Sequence, residues 1–465
     1  MHNAEPETPE TRLRRTLGPV DGAALVVANV LGVGIFTTPG IVAGMVSDAT
    51  GFLSVWIVGG AFALIGALAY AELAALLPRA GGEYLYLSRA FGPLAGFLTG
   101  WTSFVAGFSG AIAAAAIGFA AYLERFFPTM LNAEPFVSIP LGVTSLTLSG
   151  RTLGALAVIV VISSIHVRGV HPGRRFQNGL VLACLAAVGL IVVWGFLQEG
   201  ETPSSSAGQA PTNASAWFLA LVPVLFTYSG WNAAVYVAEE VRDPRRNVWK
   251  ALMLGTGTVM IVYLLLNGLY LHALPLARLA GVVEVGDATA AVLFGPVGAS
   301  LLTAVILLAL ASSVSAMVMA GPRVYYAMAR DGVFPRAAGR IHPRFHSPAI
   351  AITAQAGWSA LLVLTGTFED LLIYTGFAVV LFSAVSVASL FVLRRKYASA
   401  PAFRPSLGRH VLPVLFIGFS LVVVANALVR SPLPSFAGLL VILTGVPVFW
   451  WLHQKRGSTV PPPPA

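Results

Sequence analysis

Long, almost uncharged apolar runs recur along the chain from residue 18 to residue 453, separated by short polar segments. A helix of about 20 apolar residues is long enough to cross the hydrocarbon layer of a bilayer. No soluble core could absorb a chain that is 57% hydrophobic and 10% charged, with a mean hydropathy of +0.81. The runs are continuous and rich in Leu, Ala, Val and Gly, whereas a membrane β-barrel needs alternating strands of about ten residues. The sequence therefore predicts an all-α polytopic membrane protein.

Twelve spans fit the pattern, near residues 18–46, 51–77, 84–121, 151–167, 176–197, 215–239, 248–272, 288–328, 347–366, 369–393, 410–429 and 434–452. The expected organisation is a tail over 1–17, spans 1 to 5 over 18–197, spans 6 to 10 over 215–393, two more over 410–452, and a tail over 453–465. Lys and Arg collect in cytoplasmic loops. With both termini inside, only Arg125, Arg151, Arg278 and Arg430 of the 28 basic residues fall outside. The chain is then a multi-pass protein of the plasma (inner) membrane with both termini cytoplasmic. Its net charge of +9 is spread over every inner loop rather than gathered on one face, which speaks against nucleic-acid binding.

Arg12, Arg14 and Arg15 before the first run imitate a signal peptide, but the run is too long and lacks a small-residue cleavage site, so it is expected to be a retained span. The longest outer segments, 122–150 and 198–214, suggest an ordered lid and a flexible loop. "TVPPPPA" at 459–465 is an extended stub. No soluble catalytic domain is left over, so function must lie within the bundle. The histidines are scattered, and none has a nucleophile or carboxylate placed for hydrolysis or metal binding. An enzyme is not expected.

The first span contains "VANVLGVGIFTTPG", residues 27–40, with Gly32, Gly34, Gly40 and Pro39 inside it. Every backbone polar group in a bilayer needs a partner, so unwound chain at depth survives only where protein, ligand or water supplies one. Glycines that merely let another helix pack closely would look the same. A second interruption, however, stands in span 6, "FTYSGWNAAVYVAEEVRDPRRN", at Tyr228, Ser229, Gly230 and Asn232. If spans 1 to 5 and 6 to 10 are inverted repeats, the first helix of each is the broken one, which points to a binding site of a secondary transporter at the midplane.

Four stretches carry a family resemblance: "GVGIFTTPG", "YAELAALLPRAGGEYLYLSRAFGPLAGFLTGW", "FTYSGWNAAVYVAEEVRDPRRNVWKAL" and "GPRVYYAMARDGVFP". With them the chain resembles the permeases of the amino acid, polyamine and organocation superfamily, most nearly the L-amino-acid-transporter type. The resemblance implies a LeuT-like 5+5 inverted repeat with broken helices 1 and 6, helices 11 and 12 lying outside it. It also implies secondary transport of an amino acid. The substrate carboxylate would meet the amides of Gly32, Val33, Gly34 and Ile35, since a helix start attracts anions. The other side of the site would be Phe226, Thr227, Tyr228, Ser229 and Gly230, with the carbonyls of Val30, Phe226 and Ser229 taking the amine and the Phe226 ring acting as gate. Ser229 stands where the family often has Gly or Asp.

Intramembrane charge is costly and usually functional. Asp21 and Glu72 are expected near cytoplasmic helix ends, and Glu239 and Glu240 beside Arg242, Arg245 and Arg246 as inner-gate ion pairs or a solvated loop face. No carboxylate is expected to meet a cationic substrate side chain, which favours neutral amino acids. The alternatives are a polyamine or cationic amino acid permease or exchanger, and a non-transporting amino acid sensor.

No cofactor is expected beyond a coupling ion, sodium or a proton, with uncoupled exchange as the remaining alternative. Many relatives carry a lysine in span 5 after a "QN" pair; "RFQNGLVLAC" puts the neutral Cys184 there. Ala309, Ser312 and Ser313 have the i, i+3, i+4 spacing of one helical face. With the carbonyls of Ala28 and Leu31 they would make an oxygen shell like the sodium site of the fold's sodium-coupled members, unless the serines bond back to their own helix. Eukaryotic relatives sometimes link a partner subunit through an outer-loop cysteine. Cys184 is the only cysteine and lies in a span, so no covalently linked partner is expected.

Overall fold

The computed structural model describes residues 13–141, 144–201, 213–366, 368–398, 410–430 and 432–454. The chain runs through α1 (Pro19–Val30), α2 (Gly34–Ala43), α3 (Ala49–Leu76), α4 (Glu83–Phe91) and α5 (Pro93–Thr102). A π-helical turn, Ser103–Gly107, leads into α6 (Phe108–Glu124), followed by the hairpin β1 (Pro135–Leu141) and β2 (Thr144–Ser149). Then come α7 (Gly150–Val167), α8 (Val170–Phe196), α9 (Ala214–Thr227), α10 (Ala233–Tyr236), α11 (Pro244–Ala273) and α12 (Leu276–Leu279). The long α13 (Val285–Arg330), α14 (Ala349–Thr365), α15 (Phe368–Lys396), α16 (Val411–Arg430) and α17 (Pro432–Gln454) complete it.

The all-α polytopic expectation is borne out. Among the described residues nine helices are long and apolar enough to cross a membrane, and α1 with α2, bent by 51° across a break, makes a tenth. At the expected sixth and ninth spans, α9 and α14 are apolar but shorter, with 14 and 17 residues. Two details depart from the sequence expectation. The expected span 84–121 is interrupted at Gly92, whose φ of +98° ends α4, and Pro93 starts α5 in a new direction. The expected lid over 122–150 holds a two-stranded antiparallel hairpin. Residues 1–12, most of the 198–214 loop and the "TVPPPPA" stub lie outside the described residues.

Local chemistry fixes the helix starts. Asp48 accepts from the Gly51 amide at 2.7 Å to cap α3, Ser149 caps α7 and Asn213 caps α9. Packing between spans relies on small residues. A Cβ on Gly22 would lie 2.7 Å from that of Ala251, and one on Gly255 2.6 Å from that of Val26, so α1 and α11 meet almost backbone to backbone.

Buried charge gathers in paired form. Glu72 lies near the end of α3, as expected, but does not reach solvent: it is 0% exposed and receives Arg394 Nε and Nη2 of α15 at 2.7 and 2.6 Å. Glu240 is likewise sealed, taking Arg323 of α13 at 2.7 and 3.2 Å, and Glu239 pairs with Arg330 at 3.3 Å. The ion-pair alternative for Glu239 and Glu240 therefore holds, but with arginines from α13 rather than with sequence neighbours. Asp21 accepts from Asn178 at 2.6 Å and pairs with Arg174 at 3.4 Å, both on α8. The segment before α1 lies along this face, with Leu17 bridged in parallel to Val241 and Leu13 buried against Ala80 and Tyr326.

Breaking a buried pair by removing one partner leaves a charge uncompensated. Arg394→Met is expected to destabilise the protein by about 3 kcal/mol or more, whereas the double variant Glu72→Gln, Arg394→Met recovers most of the loss. Unfolding of the purified variants in detergent measures both.

Candidate functional site

α1 stops at Val30 because Gly32 and Gly34 weaken the next turn, and Leu31 adopts an extended ψ of 91°. The helix restarts at Gly34. Among the described residues no acceptor takes the N–H of Gly32, Val33, Gly34 or Ile35, the usual state of a first helical turn. Pro39 has no N–H to give the Ile35 carbonyl, and the Tyr270 hydroxyl of α11 supplies that bond at 3.3 Å.

The second break mirrors the first. α9 ends at Thr227, residues 228–232 are unwound, and only the short α10 and a 3₁₀ turn, Ala238–Glu240, follow. Gly230 has φ +99°, and a Cβ there would lie 2.8 Å from the Asn29 carbonyl oxygen, so no other residue fits. One hydroxyl serves both breaks: Tyr263 OH of α11 donates to the Val30 carbonyl at 2.8 Å and the Thr227 carbonyl at 3.1 Å. Asn29 Nδ2 donates to the Gly230 carbonyl at 3.3 Å. Thr227 Oγ1 donates to the Pro223 carbonyl at 2.9 Å, which leaves Thr38 the donor in the 2.8 Å bond between the two threonine hydroxyls.

Beside the breaks lies a cavity of about 180 Å³ lined by Asn29, Phe226, Ser229, Gly230, Glu83 and Thr102, among others. Phe226 is 56% exposed, its ring standing in the cavity against Gly376 rather than in the core. The π-helical turn at Ser103–Gly107 contributes Ser103 and Gly107 to the same wall. Glu83, 7% exposed, is a carboxylate that the sequence did not bring to the site. Its Oε1 accepts from Tyr70 OH at 2.5 Å, Asn232 Nδ2 at 3.0 Å and Ser383 Oγ at 3.4 Å.

A family model described as amino acid permease matches residues 17–452. The chain belongs to the amino acid permease family. It is similar to the large neutral amino acids transporter small subunit 2 of Homo sapiens, 30% identical over 463 residues covering 96% of this chain and 82% of the relative. It is also similar to the Asc-type amino acid transporter 1 of Mus musculus, 28% identical with 94% and 81% covered. The serine/threonine exchanger SteT of Bacillus subtilis (strain 168) is 25% identical, with 97% and 100% covered. The resemblance carried by the four motifs is borne out: the permease is a multi-pass membrane transporter of amino acids and not an enzyme.

The permease brings Phe226, Ser229 and Gly230 to the cavity but turns two of their neighbours inward. Tyr228 is buried, its hydroxyl donating to the Trp56 carbonyl at 3.2 Å, and Thr227 is spent on joining the two broken helices. Val30 and Ile35 are buried, while Gly32, Val33 and Gly34 are partly exposed. Ala28, Leu31, Ala309, Ser312 and Ser313 are all buried, on the packed helices α1 and α13 and the turn after α1. Among the described residues Ser312 and Ser313 make no bond back to their own helix; Ser312 Oγ accepts from Gln177 Nε2 at 3.3 Å. Cys184, 1% exposed, lies two turns after Gln177 on the same buried face of α8. Asn29, Glu83, Thr38 and Tyr263 were missed. Their signal was weak, since Glu83 sits at the edge of an expected span and Tyr263 is one aromatic in an apolar run.

The two glycines of the first break differ. A Cβ on Gly32 would meet nothing within 4 Å, whereas one on Gly34 would lie 3.0 Å from Thr227 Cγ2. Gly34→Ala is therefore expected to destabilise the permease by about 1 kcal/mol or more through overpacking, and adding Thr227→Ser, which removes that methyl, to restore part of it. Thermal unfolding of the single and double variants checks this.

Proposed function

We propose that the permease carries neutral amino acids across the plasma membrane by alternating access, through a twelve-span LeuT-like inverted repeat with both termini cytoplasmic. The observation that carries this reading is the run of four amides, Gly32 to Ile35, without an acceptor at the start of a half-helix, facing an equally unwound second helix. Free N–H groups and the helix dipole suit a carboxylate. The Ser229 carbonyl takes no hydrogen bond among the described residues and is the open acceptor for the substrate amine. The Val30 and Phe226 carbonyls each hold one donor, Tyr263 and the Ser229 amide, and keep a second lone pair. Phe226 would close over the occupant.

Neutral substrates are supported by the names of the relatives, a large neutral amino acids transporter and a serine/threonine exchanger. Glu83, open to the same cavity, favours a second reading, a cationic amino acid or polyamine. Uptake into proteoliposomes separates them. Alanine, serine, threonine and leucine should compete with one another, arginine and putrescine poorly, and methyl esters should not be carried at all. Gly32→Leu, which fills the open space rather than clashing with Thr227, should abolish uptake while the protein still purifies folded. Binding without flux would instead make the chain a sensor.

The human relative is named a small subunit, but the single cysteine here is buried in α8, so no covalent bond to another subunit is available in an outer loop. The purified chain alone should therefore transport. Coupling to sodium, with Ala28, Leu31, Ala309, Ser312 and Ser313 as the oxygen shell, is favoured by the two serines' freedom from their own helix and opposed by the Gln177 amide on Ser312. Exchanging external sodium for choline at fixed pH and voltage tests it. Stimulation by sodium in the wild type but not in Ser312→Ala supports the shell, and unchanged wild-type uptake removes it.

A further inference from the structure

Glu83 differs from the other buried carboxylates. Glu72 and Glu240 each face an arginine, but among the described residues Glu83 makes no ion pair. The arginine further along α4 is engaged elsewhere: Arg89 pairs with Asp331 at 3.6 Å, and Tyr84 OH donates to the same aspartate. The titratable groups around Glu83 are phenols, Tyr70 on α3, Tyr86 on its own helix and Tyr236 on α10, while α15 presents Ser383 and Ser386. Oε1 is saturated by three donors from α3, α15 and the unwound segment before α10. The Tyr236 hydroxyl, which itself accepts from Asn232, is a further donor favouring the charged carboxylate, and Oε2 is the oxygen outside the three bonds to Oε1 on a residue that lines the cavity.

An uncompensated carboxylate inside the bundle is expensive unless a cation reaches it. The opening is narrow, since only 7% of the residue is exposed. An ammonium partner would have to come from a substrate side chain, which a neutral amino acid lacks, and a metal ion needs several more oxygens. A proton needs neither.

We propose that Glu83 is the proton-binding residue of the permease: Oε2 takes a proton from the cavity and returns it to water on the other side, so that amino acid uptake is driven by a pH gradient. This rests on the transport function proposed above. As Oε2–H forms, an O–H bond of a hydronium in the cavity breaks; on release Oε2–H breaks and the proton joins a water on the other side, so the site alternates between −1 and neutral. Neutral, it accepts more weakly from Tyr70 and Asn232. Asn232 belongs to the unwound stretch of helix 6, two residues past Gly230, so protonation loosens that segment from α3 and α15 while the cavity is occupied.

The experiment uses the full chain in proteoliposomes in sodium-free choline medium, with two measurements per variant. Counterflow of a preloaded amino acid reports transport itself, and the ratio of uptake with and without an acid-outside gradient reports coupling. One proton per substrate across one pH unit allows up to about tenfold accumulation. The wild type should approach this and lose it with a protonophore. In Glu83→Gln the ratio should fall to one. Tyr70→Phe keeps the carboxylate but removes one donor that favours its ionised form, so its uptake profile should move to higher pH, and this decides the matter if Glu83→Gln does not fold. A wild-type ratio of one with counterflow present overturns the proposal and leaves the transport function standing. So does a Glu83→Gln ratio equal to wild type, or an unshifted Tyr70→Phe profile. Loss of arginine uptake alone in Glu83→Gln would reassign the carboxylate to a substrate side chain and overturn it too. A wild type without counterflow overturns the transport function and this proposal with it.

Discussion

The Tyr263 hydroxyl lies within hydrogen-bond distance of the Val30 and Thr227 carbonyls, the two groups that each broken helix leaves behind at its end. A bilayer offers no water to such groups, and each left without a partner costs several kcal/mol. A single O–H provides one hydrogen, which it shares between the two acceptors or lends to one at a time. α11 thereby holds the two breaks side by side. Tyr270, two turns further along α11, does the same for the carbonyl that Pro39 deprives of a donor. Carbonyls are covered in this way by side chains of a neighbouring helix. The amides of residues 32–35 are not, among the described residues, and it is on this asymmetry that the proposed carboxylate position rests.

The two broken helices are also tied directly, through Thr38 to Thr227 and Asn29 to Gly230. They can therefore move together rather than independently. α1 packs on α11 so closely, through Gly22 and Gly255, that these three elements share one rigid contact. The cavity lies on the other side, between this unit and the wall built by the π-helical turn of Ser103–Gly107 and by α15.

Charge follows the same economy. Glu72 and Glu240 are neutralised by bidentate arginines, a geometry that satisfies both carboxylate oxygens. Glu83 receives hydrogen bonds but, among the described residues, no cation, and it lines the cavity. The bonds from Tyr70, Asn232 and Ser383 hold three elements around one carboxylate, which makes this point sensitive to whatever neutralises it.

The membrane architecture was legible in the sequence because burial in lipid is a one-dimensional property: a run of about 20 apolar residues states it without reference to any other part of the chain. The two breaks were legible for a similar reason, since Gly32, Gly34, Pro39 and Gly230 alter the backbone at their own positions. Which side chains meet at those breaks was not. Tyr263 stands 233 residues from Val30, and Arg394 stands 322 from Glu72. Nothing in either apolar run distinguishes the tyrosine that serves a broken helix from one that only packs. Glu83 falls one residue before the expected span 84–121, and only the packing of α4 against α15 carries it into the cavity. The inward turn of Tyr228, the filled space beside Gly34 and the open space beside Gly32 likewise depend on neighbours from α3, α9 and α11. A chain states its own backbone weaknesses and its preference for lipid; which distant donor or charge answers each one is decided by helix packing, which no local stretch encodes.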